Sequence, residues 1–339
     1  MAAMGGLCTV DGEPLRNIGA WGSIALLIFV AASKTLLTKF LFTEAVDEPI
    51  AYSLLSAVET ALLVSCHGFG KLQPRTSIRL YPVAIAIAID LGMSNVAISR
   101  LPLALQQAIA SSVPAATILL ETIVRRRCKP LLIYVVISAL CAGALLGHLG
   151  SLSNLDTPTD SRSFFHGELA MVLAVFSAAY KYVFAKDLLH TYQEVLGPLR
   201  LLLWIECMVC TILLPWSIAI TELPQLVRTR RSLAEATALC GAAALGGFRF
   251  YVELIVLKYW SATTLSAANL SAHALIIILS IPLFGTPFTP LLLFGTSVTL
   301  AASFAYGWIK IMKFDVSKST RGENGSGQGA RAMAYTSLR

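Results

Sequence analysis

The chain contains 339 residues, of which 56% are hydrophobic and only 13% are charged, and its mean hydropathy is +0.72. This composition excludes a soluble globular protein, because too few charged residues are present to cover a water-exposed surface. The formal net charge of +7 fits basic residues at the cytoplasmic ends of membrane helices, so we expect a lipid bilayer and no nucleic acid as a partner.

Ten apolar segments follow one another along the chain, each close to the roughly 20 residues with which a helix crosses the hydrocarbon core. They are predicted at residues 21–42, 49–69, 81–99, 103–124, 131–149, 165–189, 196–220, 236–257, 262–284 and 290–311. Residues 1–20 contain no apolar core and the first segment is too long for a signal peptide, so we expect no cleavable targeting segment. Small residues indicate close helix packing at Gly143, Gly147, Gly241, Gly246 and Gly247.

The distribution of basic residues indicates the orientation of these segments, since Lys and Arg are retained on the cytoplasmic side. With both termini in the cytoplasm, sixteen of the 26 Lys and Arg residues lie on that side and five on the other. The strongest cluster, at 125–129, then lies in the cytoplasm. A smaller cluster at 228–231 falls on the opposite side and disagrees with the rule. We therefore expect both termini to be cytoplasmic.

The polar stretch at 150–163 divides the ten segments into two groups of five. Because five crossings reverse the direction of the chain, the second group is inverted relative to the first, as in transporters that alternate access around a midplane site. Lys34 and Lys39, late in the first segment, have the same spacing as Lys181 and Lys186, late in the sixth. The sequence therefore predicts an all-α integral membrane protein with ten transmembrane helices in two inverted five-helix repeats.

The predicted organisation has five parts. These are a cytoplasmic segment at 1–20, a first repeat at 21–149, a luminal loop at 150–163, a second repeat at 164–312 and a disordered cytoplasmic tail at 313–339. The tail is predicted to be disordered because it is polar and rich in Gly and Ser.

Ionisable side chains at bilayer depth are candidates for a binding site, because placing them in hydrocarbon is energetically unfavourable. The candidate cations are Lys34, Lys39, Lys181 and Arg249. The polar residues that accompany them as candidates are Asn95, Gln106, Gln107, Tyr180, Asn269 and His273. Each has a structural alternative, such as an i,i+4 ion pair between Arg249 and Glu253, an interfacial position for Lys39, or a hydrogen bond to a neighbouring helix for the amides.

The acidic residues considered with these candidates, besides Glu253, are Glu59, Asp90, Glu121 and Glu206. They would repel an anionic substrate, so they either pair with the buried cations or carry protons. No phosphate-cradling GxxxxGK loop, nucleophile with a base at motif spacing, or histidine pair for a metal is present. We therefore expect a protein that is not an enzyme and that needs no cofactor or metal.

A resemblance to a known family emerges from the third and fourth segments. Residues 94–99 read SNVAIS and are followed by Pro102, Gln107 and Pro114. This order resembles a helical hairpin of the triose-phosphate translocator and nucleotide-sugar transporter group, within the drug/metabolite transporter superfamily. Further family motifs are matched in order at Thr38-Lys39, Lys181, Ala185-Lys186, Leu214-Pro215 with Glu222, Ser261 with Thr264 and Ser266, and Phe284-Gly285 with Pro287.

The resemblance implies ten helices and the exchange of organic phosphates, but two lysines of the family are replaced. Ala110 and Ala272 occupy the positions of these two lysines, and His273 occupies a position at which triose-phosphate translocators have an arginine. The signatures of GDP-mannose carriers are missing as well. The expected substitutes for the lost charges are Lys34, Lys181 and Arg249.

The function expected from this resemblance is antiport of a nucleotide sugar for a nucleoside monophosphate, by alternating access, in the Golgi or endoplasmic reticulum membrane. The alternatives are a carrier of a smaller organic phosphate, such as triose phosphate exchanged for phosphate, or of another small metabolite, and a membrane scaffold that does not transport. The sequence leaves open whether the chain forms a homodimer.

Overall fold

The computed structural model describes residues 12–65, 74–126, 131–152, 161–191, 198–229, 231–260, 262–285, 289–291, 293–295, 297–299, 301–302, 305 and 309. Eleven helices are formed: α1 Gly12–Glu44, α2 Pro49–Ser65, α3 Pro74–Arg100, α4 Leu103–Ala110, α5 Val113–Arg125, α6 Leu131–Leu152, α7 Ser161–Thr191, α8 Pro198–Ala219, α9 Glu222–Arg228, α10 Leu233–Tyr259 and α11 Ala262–Phe284. The described residues between 290 and 309 are helical too, and the described part of the chain contains no strand. The N-terminal segment before residue 12 and the tail from 313 lie outside the described residues.

Seven stretches of the described helices are long and apolar enough to cross a membrane: Gly22–Glu44, Ile78–Arg100, Leu103–Val124, Ser163–Leu188, Leu199–Ala219, Leu233–Tyr259 and Thr264–Phe284. Two shorter apolar helices, Pro49–Ser65 and Leu131–Gly143, coincide with the second and fifth predicted segments. Large apolar side chains face outward, including Phe29 and Leu131, as expected of a surface in contact with lipid. The protein is thus an all-helical, multi-pass membrane protein, and the count of ten crossings stays a prediction.

The fourth predicted segment is one apolar stretch but not one continuous helix. α4 ends at Ala110 and α5 begins at Val113. Pro114 explains the break, since it lacks an amide hydrogen and its ring clashes with the carbonyl of the residue four positions earlier, Ala110. At Ser111 and Ser112 the backbone tightens, with the Ser112 amide bonded to the Ile109 carbonyl at 3.0 Å.

The chain between α8 and α10 forms structure that the hydropathy pattern did not predict. The short helix α9 begins after Thr221, whose φ of 64° is left-handed, so the chain turns sharply away from α8. Ser232 then caps α10. Its hydroxyl accepts from the Glu235 amide at 3.2 Å, and the Glu235 carboxylate accepts from the Ser232 amide at 2.9 Å.

The long helices pack in a pattern that matches the two groups of segments. α1 packs against α10 and α11, and α7 packs against α3 and α5. α2 and α8 pack against each other, and they also contact α10 and α3, respectively. The main apolar core lies between these helices and includes Leu27, Leu105, Leu203 and Leu254. A central space remains between α1, α3, α7 and α10, with α4, α8 and α11 around it.

Close contact between α2 and α10 depends on glycine. A Cβ atom added to Gly247 would collide with Thr60, and one added to Gly246 would lie against Ser56 and 3.9 Å from Cε of Lys34. Gly143 of α6 likewise lies directly against Thr299. These three positions show the close packing predicted for small residues. The prediction is wrong for Gly241, because nothing lies within 4 Å of a Cβ atom built there.

Candidate functional site

A polar cavity of about 120 Å³ lies in the centre of the bundle, with room for about four water molecules at roughly 30 Å³ each. Its charged lining residues are Lys34, Asp90, Lys181, Glu206, Arg249 and Glu253, and its uncharged polar lining includes Gln106, Gln107, Tyr182, Asn269 and His273. Seven of the ten candidate residues from the sequence therefore line one space: Lys34, Gln106, Gln107, Lys181, Arg249, Asn269 and His273. Their role in binding stays a prediction.

Lys181 of α7 is neutralised by carboxylates from two other helices. Its Nζ atom lies 2.7 Å from Oδ2 of Asp90 on α3 and 3.2 Å from Oε2 of Glu253 on α10. The ammonium also lies 4.8 Å from the centre of the Tyr182 ring and 5.7 Å from that of Phe250. A buried charge with two carboxylate partners is held in place, so Lys181 joins α3, α7 and α10.

Arg249 of α10 forms the i,i+4 ion pair with Glu253 that the sequence offered as its structural alternative. The distance from Nε to Oε1 is 3.3 Å, but Nε has no partner in hydrogen-bonding geometry. No other ion pair of Arg249 occurs among the described residues. The planar guanidinium therefore retains donors that can be directed at an anion in the cavity.

Lys34 of α1 has a different environment. Its side chain is buried, and Nζ donates to the amide oxygen of Asn95 at 3.3 Å. No carboxylate lies within ion-pair distance of Lys34 in the part of the chain that the structure describes. The Asn95 amide in turn donates to Ser53 at 2.7 Å, which fixes its oxygen toward Lys34. Asn95 thus orients the cation from behind and does not itself line the cavity.

The uncharged polar groups form a partly satisfied network around the cavity. The Asn269 amide donates to the Tyr182 hydroxyl at 2.8 Å, and the Gln107 amide donates to Gln106. Several buried atoms have no hydrogen-bond partner, namely Gln107 Oε1, Glu206 Oε2, Asn269 Oδ1 and His273 Nδ1. Unpaired buried polar atoms are unfavourable, so these groups are suited to bind water or a polar ligand.

Two further predicted residues do not line the cavity. The ring of Tyr180 stacks on Phe184 with the centroids 4.2 Å apart, and Tyr182 lines the cavity in its place. Residues two positions apart on a helix point in nearly opposite directions, which accounts for the exchange. Lys39 donates to the backbone carbonyls of Ile98 at 2.8 Å and Leu101 at 3.0 Å, and so holds the turn between α3 and α4.

The turn between α10 and α11 is held in the same way. Lys186, near the end of α7, donates to the backbone carbonyl of Trp260 at 2.8 Å. Since Lys39 is near the end of α1, the two lysines occupy matching places in the two groups of helices. We call the end of the bundle with Lys39 the first end, and the end with Lys186 the second end.

The first end carries additional contacts between helices. The carboxylate of Glu222 on α9 accepts from the amides of Ile50 at 2.6 Å and Ala51 at 3.0 Å, and thereby caps α2. Burial nevertheless raises the pKa of Glu222 above its ordinary value, and the two backbone amides oppose this shift. Arg231 pairs with Glu48 at 3.0 Å. This ion pair neutralises one member of the basic cluster that disagreed with the predicted orientation.

Sequence reasoning did not single out four functional side chains of the cavity. Tyr182 carried no signal beyond its position next to Lys181. Asp90 and Glu206 were predicted either to pair with the buried cations or to carry protons, and Glu253 was predicted to pair with Arg249. Asp90 and Glu253 do pair with Lys181. The third, Glu206, pairs with no cation among the described residues. Those residues also contain no cluster of His, Cys, Asp or Glu that could hold a metal ion.

Comparison with known proteins gives a family match over most of the chain. The model of the Triose-phosphate Transporter family matches residues 24–307. "Phosphoenolpyruvate/phosphate translocator 3, chloroplastic" of Oryza sativa subsp. japonica is 27% identical over 252 residues, which are 71% of this chain and 61% of that protein. "GDP-mannose transporter GONST5" of Arabidopsis thaliana is 21% identical over 246 residues, which are 69% of this chain and 66% of that protein. The matched region spans less than two thirds of the length of either relative.

A solved structure is similar in fold. A crystal structure matches with a TM-score of 0.55 over 82% of this chain and 96% of that chain, at 16% sequence identity. At this identity the likeness concerns the fold alone.

Proposed function

Because the chain belongs to the Triose-phosphate Transporter family, we propose that it is an antiporter that exchanges an organic phosphate for a second phosphate-bearing compound across a membrane. The observation that carries this proposal is Lys34, a buried cation of the cavity lining that donates to the Asn95 amide oxygen and has no carboxylate partner among the described residues. An anion that entered the cavity would supply the missing counter-charge. Arg249 lines the same cavity and would contribute further donors to a phosphate group.

The size of the cavity favours a small organic phosphate as the substrate. A cavity of about 120 Å³ is of the same order as a cavity of about 150 Å³ that holds one benzene molecule, so its size is far closer to a three-carbon phosphate ester than to a nucleotide sugar. The relative from Oryza sativa is named as a phosphoenolpyruvate/phosphate translocator, which supports the same class. This reverses the order of preference that the sequence favoured, in which the nucleotide sugar came first.

Exchange of a nucleotide sugar for a nucleoside monophosphate is the second candidate. It is supported by the relative from Arabidopsis thaliana, which is named as a GDP-mannose transporter. A nucleotide sugar has several times more atoms than a three-carbon phosphate. Its binding would therefore require the helices around the cavity to move apart.

The proposed mechanism is alternating access between two inverted five-helix repeats. The packing supports it. In the predicted repeats α1 corresponds to α7 and α3 corresponds to α10, so the contact of α1 with α10 corresponds to the contact of α7 with α3. The contacts of Lys39 and Lys186 with the α3–α4 and α10–α11 turns are related in the same way. Rocking of the repeats would then open one end of the bundle while the other stays closed.

Exchange in proteoliposomes tests the proposed function. Vesicles loaded with inorganic phosphate are expected to take up labelled phosphoenolpyruvate or glycerol 3-phosphate, and empty vesicles are not. Lys34→Met is expected to lower the rate by at least about tenfold, the effect of one lost charge-assisted hydrogen bond. Lys258→Met is the matched control, because Lys258 is exposed at the end of α10 and away from the cavity. Uptake of GDP-mannose alone would favour the second candidate, and no exchange of any compound would favour a scaffold.

The compartment and the orientation are part of the proposal. We infer a Golgi or endoplasmic reticulum membrane with both termini in the cytoplasm. The distribution of Lys and Arg supports the orientation. A fluorescent fusion reports the compartment. The sequon at Asn324 reports the orientation, because it is glycosylated only if the C-terminal tail is luminal. A glycosylated tail would overturn the inferred orientation.

A further inference from the structure

Glu206 of α8 is the one carboxylic acid of the cavity lining that has no ion pair among the described residues. The other two lining carboxylates, Asp90 and Glu253, pair with Lys181. Glu206 is 4% exposed, and its Oε2 atom has no hydrogen-bond partner. Such a group is unfavourable in a folded protein unless a ligand or water satisfies it. Its position in the cavity lining therefore indicates a role in binding.

The chemistry of the unsatisfied atoms indicates what they bind. Besides Glu206, the buried oxygens of Gln107 and Asn269 line the cavity without a partner. The amide oxygens of Gln107 and Asn269 are acceptors only, so a phosphate oxygen cannot satisfy them. A hydroxyl group can, because it donates to an amide oxygen and can donate to or accept from the carboxyl group of Glu206. The same cavity thus holds cations for an anionic group and acceptors for a donor group.

We propose that Glu206 binds a hydroxyl group of the carbon skeleton of a phosphate ester, whose phosphate lies toward Lys34 and Arg249. This inference rests on the proposed function and deepens it, since among three-carbon phosphate esters it favours those with a hydroxyl, such as glycerol 3-phosphate, over phosphoenolpyruvate, which has none. A hydroxyl fits better than an ammonium group, because Glu206 and the neutral amide oxygens of Gln107 and Asn269 would share the bound group, and amide oxygens do not neutralise a cation. Neutral amide acceptors beside a carboxylate are typical of sites that recognise hydroxyls.

A matched pair of ligands isolates this contact. Glycerol 3-phosphate and n-propyl phosphate carry the same phosphate on a three-carbon chain, but only glycerol 3-phosphate has hydroxyls. The apparent affinity of each is measured as inhibition of exchange in proteoliposomes and as thermal stabilisation of the purified protein in detergent. The wild-type protein is expected to prefer glycerol 3-phosphate by about tenfold, because propyl phosphate cannot form the hydrogen bond to Glu206 and leaves this buried group unsatisfied.

The Glu206→Leu variant is expected to reduce this preference to less than about threefold. Only the affinity for glycerol 3-phosphate should fall, because a leucine side chain lacks the acceptor while the phosphate contacts remain. Glu206→Gln retains an acceptor oxygen and is expected to keep part of the preference, which provides a second variant if the leucine variant does not fold. Lys34→Met is expected to weaken both ligands equally.

Three outcomes would overturn the inference. The first is a preference for glycerol 3-phosphate that persists in Glu206→Leu. The second is an equal loss of affinity for both ligands in Glu206→Leu. The third is tighter binding of phosphoethanolamine than of glycerol 3-phosphate, with this advantage lost in Glu206→Gln. The proposed function fails differently, because the wild-type protein would then respond to neither phosphate ester. That result would overturn the inference about Glu206 as well.

Discussion

The helices α1 and α7 carry lysines at the same spacing, and their contacts agree at one position and differ at the other. Lys39 and Lys186 both donate to backbone carbonyls of a tight turn between two helices. Lys34 and Lys181 both line the cavity, but Lys181 has two carboxylate partners and Lys34 has only an amide oxygen. The outer lysines, Lys39 and Lys186, therefore each hold a turn at one end of the bundle. The inner lysines, Lys34 and Lys181, differ, because Lys181 is paired with carboxylates and Lys34 has no carboxylate partner among the described residues.

This difference has a direct consequence for an anionic substrate. A phosphate group near Lys181 would compete with Asp90 and Glu253, and it would be repelled by both. Near Lys34 it would meet no carboxylate within ion-pair distance among the described residues. The cavity is therefore electrostatically asymmetric, even though the helices around it pack in a nearly symmetric pattern.

The largest effect on stability is expected from Glu253→Gln, which removes a carboxylate that pairs with Lys181. Both Lys181 and Arg249 use this carboxylate, and its exposure is only 3%. Removing one partner from a buried ion pair lowers stability by about 3–5 kcal/mol. The free energy of unfolding, measured by titration of mixed micelles with a denaturing detergent, checks this value. Asp90→Asn is the matched control and should lower it less, because only Lys181 loses a partner there, whereas Glu253→Gln removes a partner from both Lys181 and Arg249; equal losses would contradict the shared role of Glu253.

Replacing each inner lysine with methionine compares the two directly. Lys181→Met leaves Asp90 without a cation and is expected to lower the free energy of unfolding by about 3 kcal/mol. Lys34→Met removes a single hydrogen bond to a neutral amide, so a change of about 1 kcal/mol or less is expected. Thermal unfolding in detergent with and without glycerol 3-phosphate separates the effects. Lys34→Met should lose the stabilisation by ligand while its own stability is nearly unchanged, and the reverse result would assign the available charge to Lys181.

The helical segments and the cavity cations were predictable because both depend on local rules. An apolar stretch of about 20 residues predicts a helix, and Lys34, Lys181 and Arg249 stand out as charges within such stretches. The break after Ala110 also had a local signal in Pro114, which the hydropathy pattern concealed.

The pairing inside the cavity could not be predicted in this way. Asp90, Lys181 and Glu253 lie on three helices that meet only in the folded bundle. The choice between Tyr180 and Tyr182 depends on the rotation of α7, and a helix that is apolar on nearly all sides gives no periodicity from which to read it. Which acidic residues lack an ion pair likewise depends on how the helices pack, as for Glu206 among the described residues.

The outer lysines test whether the two ends are held equally. Lys39→Ala and Lys186→Ala are each expected to lower the free energy of unfolding by about 1.5–3 kcal/mol, because each removes a charged donor from turn carbonyls. Lys258→Ala, an exposed lysine of α10, provides the baseline in the same unfolding assay. A loss no larger than this baseline at both sites would show that the turns do not depend on these lysines.

The smallest change in stability, and the sharpest test of the comparison, is expected from Asn95→Asp. This variant places a carboxylate beside Lys34 and so gives α1 the kind of counter-ion that Lys181 already has. The new ion pair stabilises the fold, but the variant loses the hydrogen bond that the Asn95 amide donates to Ser53. The net change in the free energy of unfolding should therefore stay below about 1 kcal/mol.

Binding of the anion should respond far more strongly than stability in this variant. With Lys34 neutralised from within, glycerol 3-phosphate should no longer raise the thermal midpoint of Asn95→Asp, and exchange in proteoliposomes should fall by at least about tenfold. Asn95→Ser is the control, because it shortens the side chain without adding charge. If Asn95→Asp binds the ester as well as the wild-type protein does, the phosphate does not depend on Lys34, and Arg249 becomes the cation to test.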